Sequence, residues 1–277
     1  ELEYQDREDL SVYVNFEASD ATAVFNAFGL AEADHPGATP SFMIWTTTPW
    51  TLPANLAIAV HEKFNYALVR VDGNLTVMAV DAIERVTKLA KSEEVETLAT
   101  TTGDKLVGLS YAHPFIKNAP APIADPDADT SECYKVVHAD YVTLEDGSGL
   151  VHTAPGHGSD DYITGLRVGL PVYCPVLGDG TYDTTAPDWL VGMSIWKAND
   201  LVAQRLTESG HMFHAYKFMH SYPHDWRSKT PVIFRCTEQW FVAVDQPTKR
   251  DGHSLRDMAM KSTGDDRSVK YVPAWGR

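Results

Sequence analysis

Nine short runs rich in apolar, β-branched and aromatic residues constrain the fold of this chain more than any other feature, and five of them fall within the first eighty residues. These five are SVYVNF (11–16), SFMIW (41–45), LAIAV (56–60), YALVRV (66–71) and LTVMAV (75–80). YKVVHA (134–139), GLVHTA (149–154), PVIFR (231–235) and QWFVAV (239–244) follow. Each is strand-length and bounded by turn-forming residues, and Asp72-Gly73-Asn74 between two of them reads as a hairpin turn. Strands this short and this close together close into a barrel or a folded sheet. Helices are fewer. Asp81 with Glu84 reads as a cap for DAIERVTKLAK, Asn199 or Asp200 for LVAQRLTES, and Asp160 for YITGLRV. The fold expected is mixed α/β and β-rich, a barrel surrounded by a few helices. Residues 118–132 form a Pro/Ala/Asp loop, and the polar tail from 245 to 277 reads as a connector after a 1–244 domain.

The chain has 277 residues and an apolar content of 44%, enough for a real core. No apolar run reaches the ~18 residues of a membrane span, so no membrane partner is expected. The opening ELEYQDREDL carries no signal peptide, and a chain without an initiator Met that stops at AWGR is expected to be a piece of a longer protein. Net charge is −15, which argues against a free-standing domain that grips nucleic-acid phosphates, though not against one that meets only a strand end. Cys133, Cys174 and Cys236 are widely spaced with no CxxC, which fits buried thiols in a reducing, cytoplasmic setting and not a zinc ribbon.

Two runs carry chemistry. WTTTPWTLPAN, from Trp45 to Asn55, places three hydroxyls (Thr46, Thr47 and Thr48) on a segment that Pro49 and Pro53 stop from continuing as regular structure. Hydroxyls on a stiffened turn suit a water or a sugar hydroxyl. GSGLVHTAPGHGSDDY, from Gly147 to Tyr162, reads as strand, Gly-rich turn and helix, with Asp160 and Asp161 at the helix start. There the helix dipole favours the charged carboxylate, a partner for an ammonium group. Blander readings stand beside these: an Asp pair as a plain cap, threonines as β-formers, His152 as a structural histidine, and His157 facing solvent. A metal site is disfavoured because His152, His157, Asp160 and Asp161 lie across a Pro-Gly turn without helical ligand spacing, and Ser148 is not in a GxSxG elbow.

Together with HSYPHDWRSKTPVIFRCTEQWF (220–241) and VPAWGR (272–277), these runs resemble the editing domain inserted in the catalytic fold of isoleucyl-tRNA synthetases. The resemblance spans nearly the whole chain. Thr48 stands where the valine and leucine relatives carry the Arg of a TTRP run, Trp50 and Asn55 follow, and Gly156-His157-Gly158 replaces their AHD pattern. Asp225 departs from a frequent Cys, and Ser148 from a frequent Thr. The HIGH and KMSKS motifs are absent, so the resemblance implies no cofactor for editing and an ATP site that lies elsewhere in the full-length enzyme. It further implies hydrolysis of the ester of valyl-tRNA(Ile), with isoleucine excluded by size. Under it, Asp161 holds the α-ammonium, Thr46, Thr47 and Thr48 position water and ribose hydroxyls, and His152 walls off the longer side chain. Trp45, Trp50, Asn55 and, on the adenosine side, Tyr222 shape the substrate site. The implied partners are the acceptor end of valine-bearing tRNA(Ile) and the rest of the synthetase chain, in the cytoplasm.

Overall fold

A computed structural model describes residues 1–116, 129–264, 269–270, 272–273 and 275. The chain divides into two compact units, Glu1–Cys236 and Thr237–Arg277. The strands are β1 (Leu2–Glu17), β2 (Ser41–Thr46), β3 (Ala57–Val60), β4 (Asn65–Val71), β5 (Asn74–Ala79), β6 (Val95–Thr102), β7 (Lys135–His138), β8 (Val151–Thr153) and β9 (Met212–Asp225). The helices are α1 (Ala21–Ala27), α2 (Ile83–Ala90), α3 (Ser159–Val168), α4 (Ile195–Glu208) and, in the second unit, α5 (Leu255–Thr263). The expected mixed, β-rich architecture is the one observed, with a sheet curled into a half-barrel.

The sheet runs β6-β4-β5-β2-β8-β3-β7, and β1 pairs with both β2 and β9. One junction matters for function. β2 pairs with β5 at Ser41 and Phe42 but with β8 at Trp45, both in parallel, while β1 runs antiparallel along it from Val12 to Glu17. The sheet therefore parts at the end of β2, where the threonines begin. Phe16, Phe42, Ile44, Ile58, Leu68 and Val77 are fully buried, and so are Met43, Ala59, Ala67 and Met78 between or beside them, so these strands are covered on both faces.

Seven of the nine expected strands lie where their β-branched runs place them, and Asp72 and Gly73, at φ +47° and +89°, make the β4–β5 hairpin turn. Several expectations are corrected. PVIFR and QWFVAV are not strands: Pro231 lacks an N–H and makes one isolated bridge to His224, while Trp240 and Phe241 are exposed and outside any strand. Asp81 does not cap α2, because a short 3-10 turn, Val80–Ala82, intervenes and the helix starts later without a side-chain cap. α4 likewise starts four residues before Asn199, after Ser194, which leaves the Asn199 side chain free for another task. Asp160 lies inside the first turn of α3, which follows Gly158. Most of the 118–132 loop lies outside the described residues. Cys133 is buried, Cys174 and Cys236 are partly so, and all three are free.

Candidate active site

The end of β2 delivers Trp45 and Thr46, and the chain then tightens into a buried 3-10 turn, Pro49–Ala54. Proline at the first position of that turn presets φ and has no N–H to leave unpaired. The three threonines do different things. Thr46 Oγ1 accepts from the Thr48 amide at 3.0 Å and lies 3.1 Å from Thr48 Oγ1, closing a small side-chain turn. Thr48 Oγ1 lies 3.3 Å from Thr51 Oγ1. Thr47 has no side-chain hydrogen bond among the described residues and faces a cavity of about 230 Å³. Trp45, Gly147, Leu150 and Val151 also line that cavity, at the parting of the sheet.

Behind the turn lies a buried polar network. The Thr51 hydroxyl donates to the Thr48 carbonyl at 2.8 Å and meets His152 Nε2 at 2.9 Å. Asn55 Nδ2 meets His152 Nδ1 at 2.9 Å and donates to the Ala57 carbonyl at 2.8 Å. An amide nitrogen has no lone pair to offer, so His152 Nδ1 accepts and Nε2 carries the proton. Burial pushes His152 down to about 3, with the nearby His113 and His157 acting in the same direction, so the ring is neutral at physiological pH. With both nitrogens engaged, the ring is fixed.

The other face of β8 leads to Asp161. Its Oδ2 accepts from the Ala154 amide at 3.0 Å, and Tyr141 OH lies 3.4 Å from both Asp161 Oδ1 and Thr153 Oγ1. A Cβ on Gly158 would stand 2.9 Å from Asp161 Oδ2, so a larger residue there would push against the carboxylate. The sequence expectation of a firmly charged helix-start carboxylate is corrected in degree. Burial raises Asp161 to about 6, and the Ala154 N–H and Tyr141 hydroxyl only partly oppose it. The group is mostly ionised at pH 7 and protonated by pH 5.

Of the residues singled out in the sequence, Trp45, Thr46 and Thr47 line the cavity, and hydrogen bonds through Thr51 link Thr46 and Thr48 to His152 and Asn55 behind it, whereas Asp161 lies off the other face of β8, and neither it nor His152 lines the cavity. Trp50 is buried away from the cavity. Its amide donates to Asn199 Oδ1 at 3.0 Å, its carbonyl accepts from Tyr182 OH at 2.5 Å, and its ring meets His157 edge-on. Trp50 thus anchors the turn instead of lining the cavity. Tyr222 lies on β9, its hydroxyl donating to the Val232 carbonyl at 2.9 Å, and reaches Trp45 only through successive ring contacts with His220 and Phe218. His157 does not face solvent: it is buried, and its Nδ1 lies 3.0 Å from the Phe234 carbonyl. Sequence reasoning missed Thr51, Tyr111 and Tyr141. Thr51 sits three residues after Thr48, a spacing that signals contact across one turn, whereas nothing local marks the two tyrosines. Among the described residues no group of three or more His, Cys, Asp or Glu could hold a metal.

The half-barrel fold is shared with solved editing, or CP1, domains of aminoacyl-tRNA synthetases. The crystal structure of GlLeuRS-CP1 superposes with a TM-score of 0.54 at 13% identity, covering 73% of this chain and 97% of that one. The editing domain of P. knowlesi cytosolic leucyl-tRNA synthetase gives 0.53 at 12% identity, covering 77% and 96%. At such identities the likeness shows the fold alone. The sequence narrows the class. The chain is 41% identical over 278 residues to isoleucine–tRNA ligase of Photorhabdus laumondii and 42% identical over 280 residues to that of Nitratidesulfovibrio vulgaris. Both matches cover 100% of this chain but only 27% and 26% of the relative. The chain is therefore similar to isoleucine–tRNA ligases over the quarter or so of their length that it spans. No family model matches it.

Proposed function

We propose that this chain carries out post-transfer editing, hydrolysing the ester of valyl-tRNA(Ile) while leaving isoleucyl-tRNA(Ile) intact. The observation that carries this reading is the Thr47 hydroxyl, which has no partner among the described residues and faces a cavity beside a turn that β8 ties to the His152 network and to the Asp161 carboxylate. An aminoacyl ester is already activated and needs no protein nucleophile. Positioning water beside its carbonyl supplies much of the acceleration. Asp161 receives the α-ammonium, and Thr47, with Thr46 and Thr48 behind it, orients water and the ribose hydroxyls. His152 donates from Nε2 and spends its Nδ1 lone pair on Asn55, so it is not the general base. The proton passes to a ribose hydroxyl or to solvent.

His152 serves instead as a fixed wall. A ring held at both nitrogens does not swing aside for a longer side chain, and this supports exclusion of isoleucine. A second site is needed because one methylene is worth only about 1–3 kcal/mol in a binding pocket, isoleucine against valine being the standard case of that limit. The acceptor end of tRNA is the partner, with the rest of a synthetase chain holding the tRNA body. A net charge of −15 leaves this segment unsuited to that grip. Cytoplasmic location and an ATP site outside this segment belong to the same reading.

Deacylation of valyl-tRNA(Ile) and isoleucyl-tRNA(Ile) by the chain and by the full-length enzyme tests the proposal. The valyl ester is expected to be cleaved at least about tenfold faster. Equal rates would refute size exclusion, and no deacylation by the full-length enzyme would refute editing.

A further inference from the structure

The hydroxyl network does not end at His152. Tyr111 OH donates to Asn55 Oδ1 at 2.6 Å, and both residues are deeply buried. Tyr111 is itself well fixed. It bridges to Ala18 at the end of β1, its amide donates to the Tyr134 carbonyl at 2.9 Å, and its ring meets Phe16 edge-on at 5.3 Å. The Asn55 amide is thus held from both ends, its nitrogen by the Ala57 carbonyl and its oxygen by Tyr111.

That orientation has a direction. With the oxygen on Tyr111, only the NH2 group is left to face His152 Nδ1, so the imidazole proton sits on Nε2. Nε2–H then donates to Thr51, whose own proton goes to the Thr48 carbonyl. Each donor in the series has one acceptor, from the core to the threonine turn. We propose that Tyr111 is a positioning residue for that turn: its hydroxyl, acting through Asn55, sets the tautomer of His152 and so the direction of the hydrogen bonds at Thr51 and Thr48. The kinetic part of this inference rests on the editing function proposed above, whereas the tautomer part does not.

Tyr111→Phe removes the hydroxyl and keeps the ring. It leaves the buried Asn55 oxygen unpartnered, which favours rotation of the amide and a second His152 tautomer. Tyr134→Phe is the matched control, because Tyr134 stacks edge-on against Tyr111 at 5.9 Å and its buried hydroxyl has no partner among the described residues. The measurements are ¹⁵N spectra of histidine-labelled protein and steady-state deacylation of valyl-tRNA(Ile) by the full-length enzyme. Wild type and Tyr134→Phe are expected to show a single Nε2-protonated His152. Tyr111→Phe is expected to show a tautomer mixture and a kcat lower by about three- to tenfold at unchanged KM. A wild-type His152 protonated at Nδ1 overturns the inference without any variant. So does a Tyr111→Phe protein with the wild-type His152 spectrum and kcat, or an equal loss in Tyr134→Phe. A wild type that does not deacylate sinks the editing reading instead, and the spectrum then decides the positioning claim alone.

Discussion

Asp161→Asn should make the protein more stable and its proposed reaction slower, and the stability gain should grow with pH. The Asp161 carboxyl is ordinary in the unfolded chain and raised by burial to about 6 in the folded one. The folded state therefore keeps its proton to higher pH than the unfolded state does. The stability this confers is complete below the unfolded value and is lost as pH rises through the folded one. Relative to a neutral isostere, the cost is about 1 kcal/mol at pH 4.5 and about 3 kcal/mol at pH 7.5. Asparagine keeps an oxygen to accept from the Ala154 amide and carries no charge at either pH. Urea unfolding of wild type and variant at the two pH values should show the variant ahead at both, by about 2 kcal/mol more at pH 7.5. A variant whose advantage is the same at both, or which is less stable at pH 7.5, would refute the claim that Asp161 is a buried, strained carboxylate.

The same residue then predicts a rate profile. If the carboxylate meets an ammonium in a water-poor site, losing it costs about 2–5 kcal/mol, so deacylation of valyl-tRNA(Ile) by Asp161→Asn should fall roughly a hundredfold. Wild-type activity should drop roughly tenfold between pH 7 and pH 5 as the group protonates. The variant should lack that limb. His152 cannot supply it, because it stays neutral down to about 3.

Two further substitutions test how the turn is held. Thr51→Val strands the His152 Nε2–H and frees the Thr48 carbonyl, which should cost about 1–3 kcal/mol in urea unfolding and slow deacylation, while Thr51→Ser should keep most of both. Gly149→Ala places a Cβ 2.4 Å from the Ala79 Cβ at φ +77°, whereas Gly73→Ala, at φ +89°, meets nothing within 4 Å. Both carry backbone strain of about 1–2 kcal/mol, so calorimetry should find the Gly149 variant less stable by a further 1–3 kcal/mol or so, the cost of overpacking beside the cavity.

What the sequence made legible follows from how far each signal reaches along the chain. The β-branched runs are local, and they located β2 to β5, β7, β8 and the second half of β1 because a buried strand's apolar run is recognisable from its own residues. PVIFR and QWFVAV carry the same composition and form no strand, because strand propensity acts only where a partner edge exists, and the backbone pairing of PVIFR with β9 stops at Val232. The caps failed for a related reason. Asn199 looks like a cap in isolation, but the structure spends it on the Trp50 amide, 149 residues away. The site shows the same division. The threonine turn was visible because Thr46, Thr48 and Thr51 bond within one short segment. Tyr111, Asn199 and Tyr182 reach that segment from 56 to 149 residues away, and no spacing rule marks them.

The charge on Asp161 is the case where a sound local argument met a larger opposing effect. A helix N-terminus stabilises a carboxylate by about 0.3–1 kcal/mol, up to about 2 when partly buried. Burial beside Tyr141 and Thr153 outweighs it and moves the carboxyl the other way, to about 6. This is what an ammonium receptor requires. A carboxylate already satisfied by several donors gains little from a ligand, whereas one held by a single amide and a long tyrosine contact is relieved when a cation arrives. Under the editing proposal, an amino-acid ammonium group bound beside Asp161 should lower its value back toward the ordinary carboxylate range. Titrating Asp161 by ¹³C NMR with and without a non-hydrolysable valyl-adenosine analogue measures that shift directly, and an unchanged value with the analogue bound would show that the ammonium lies elsewhere.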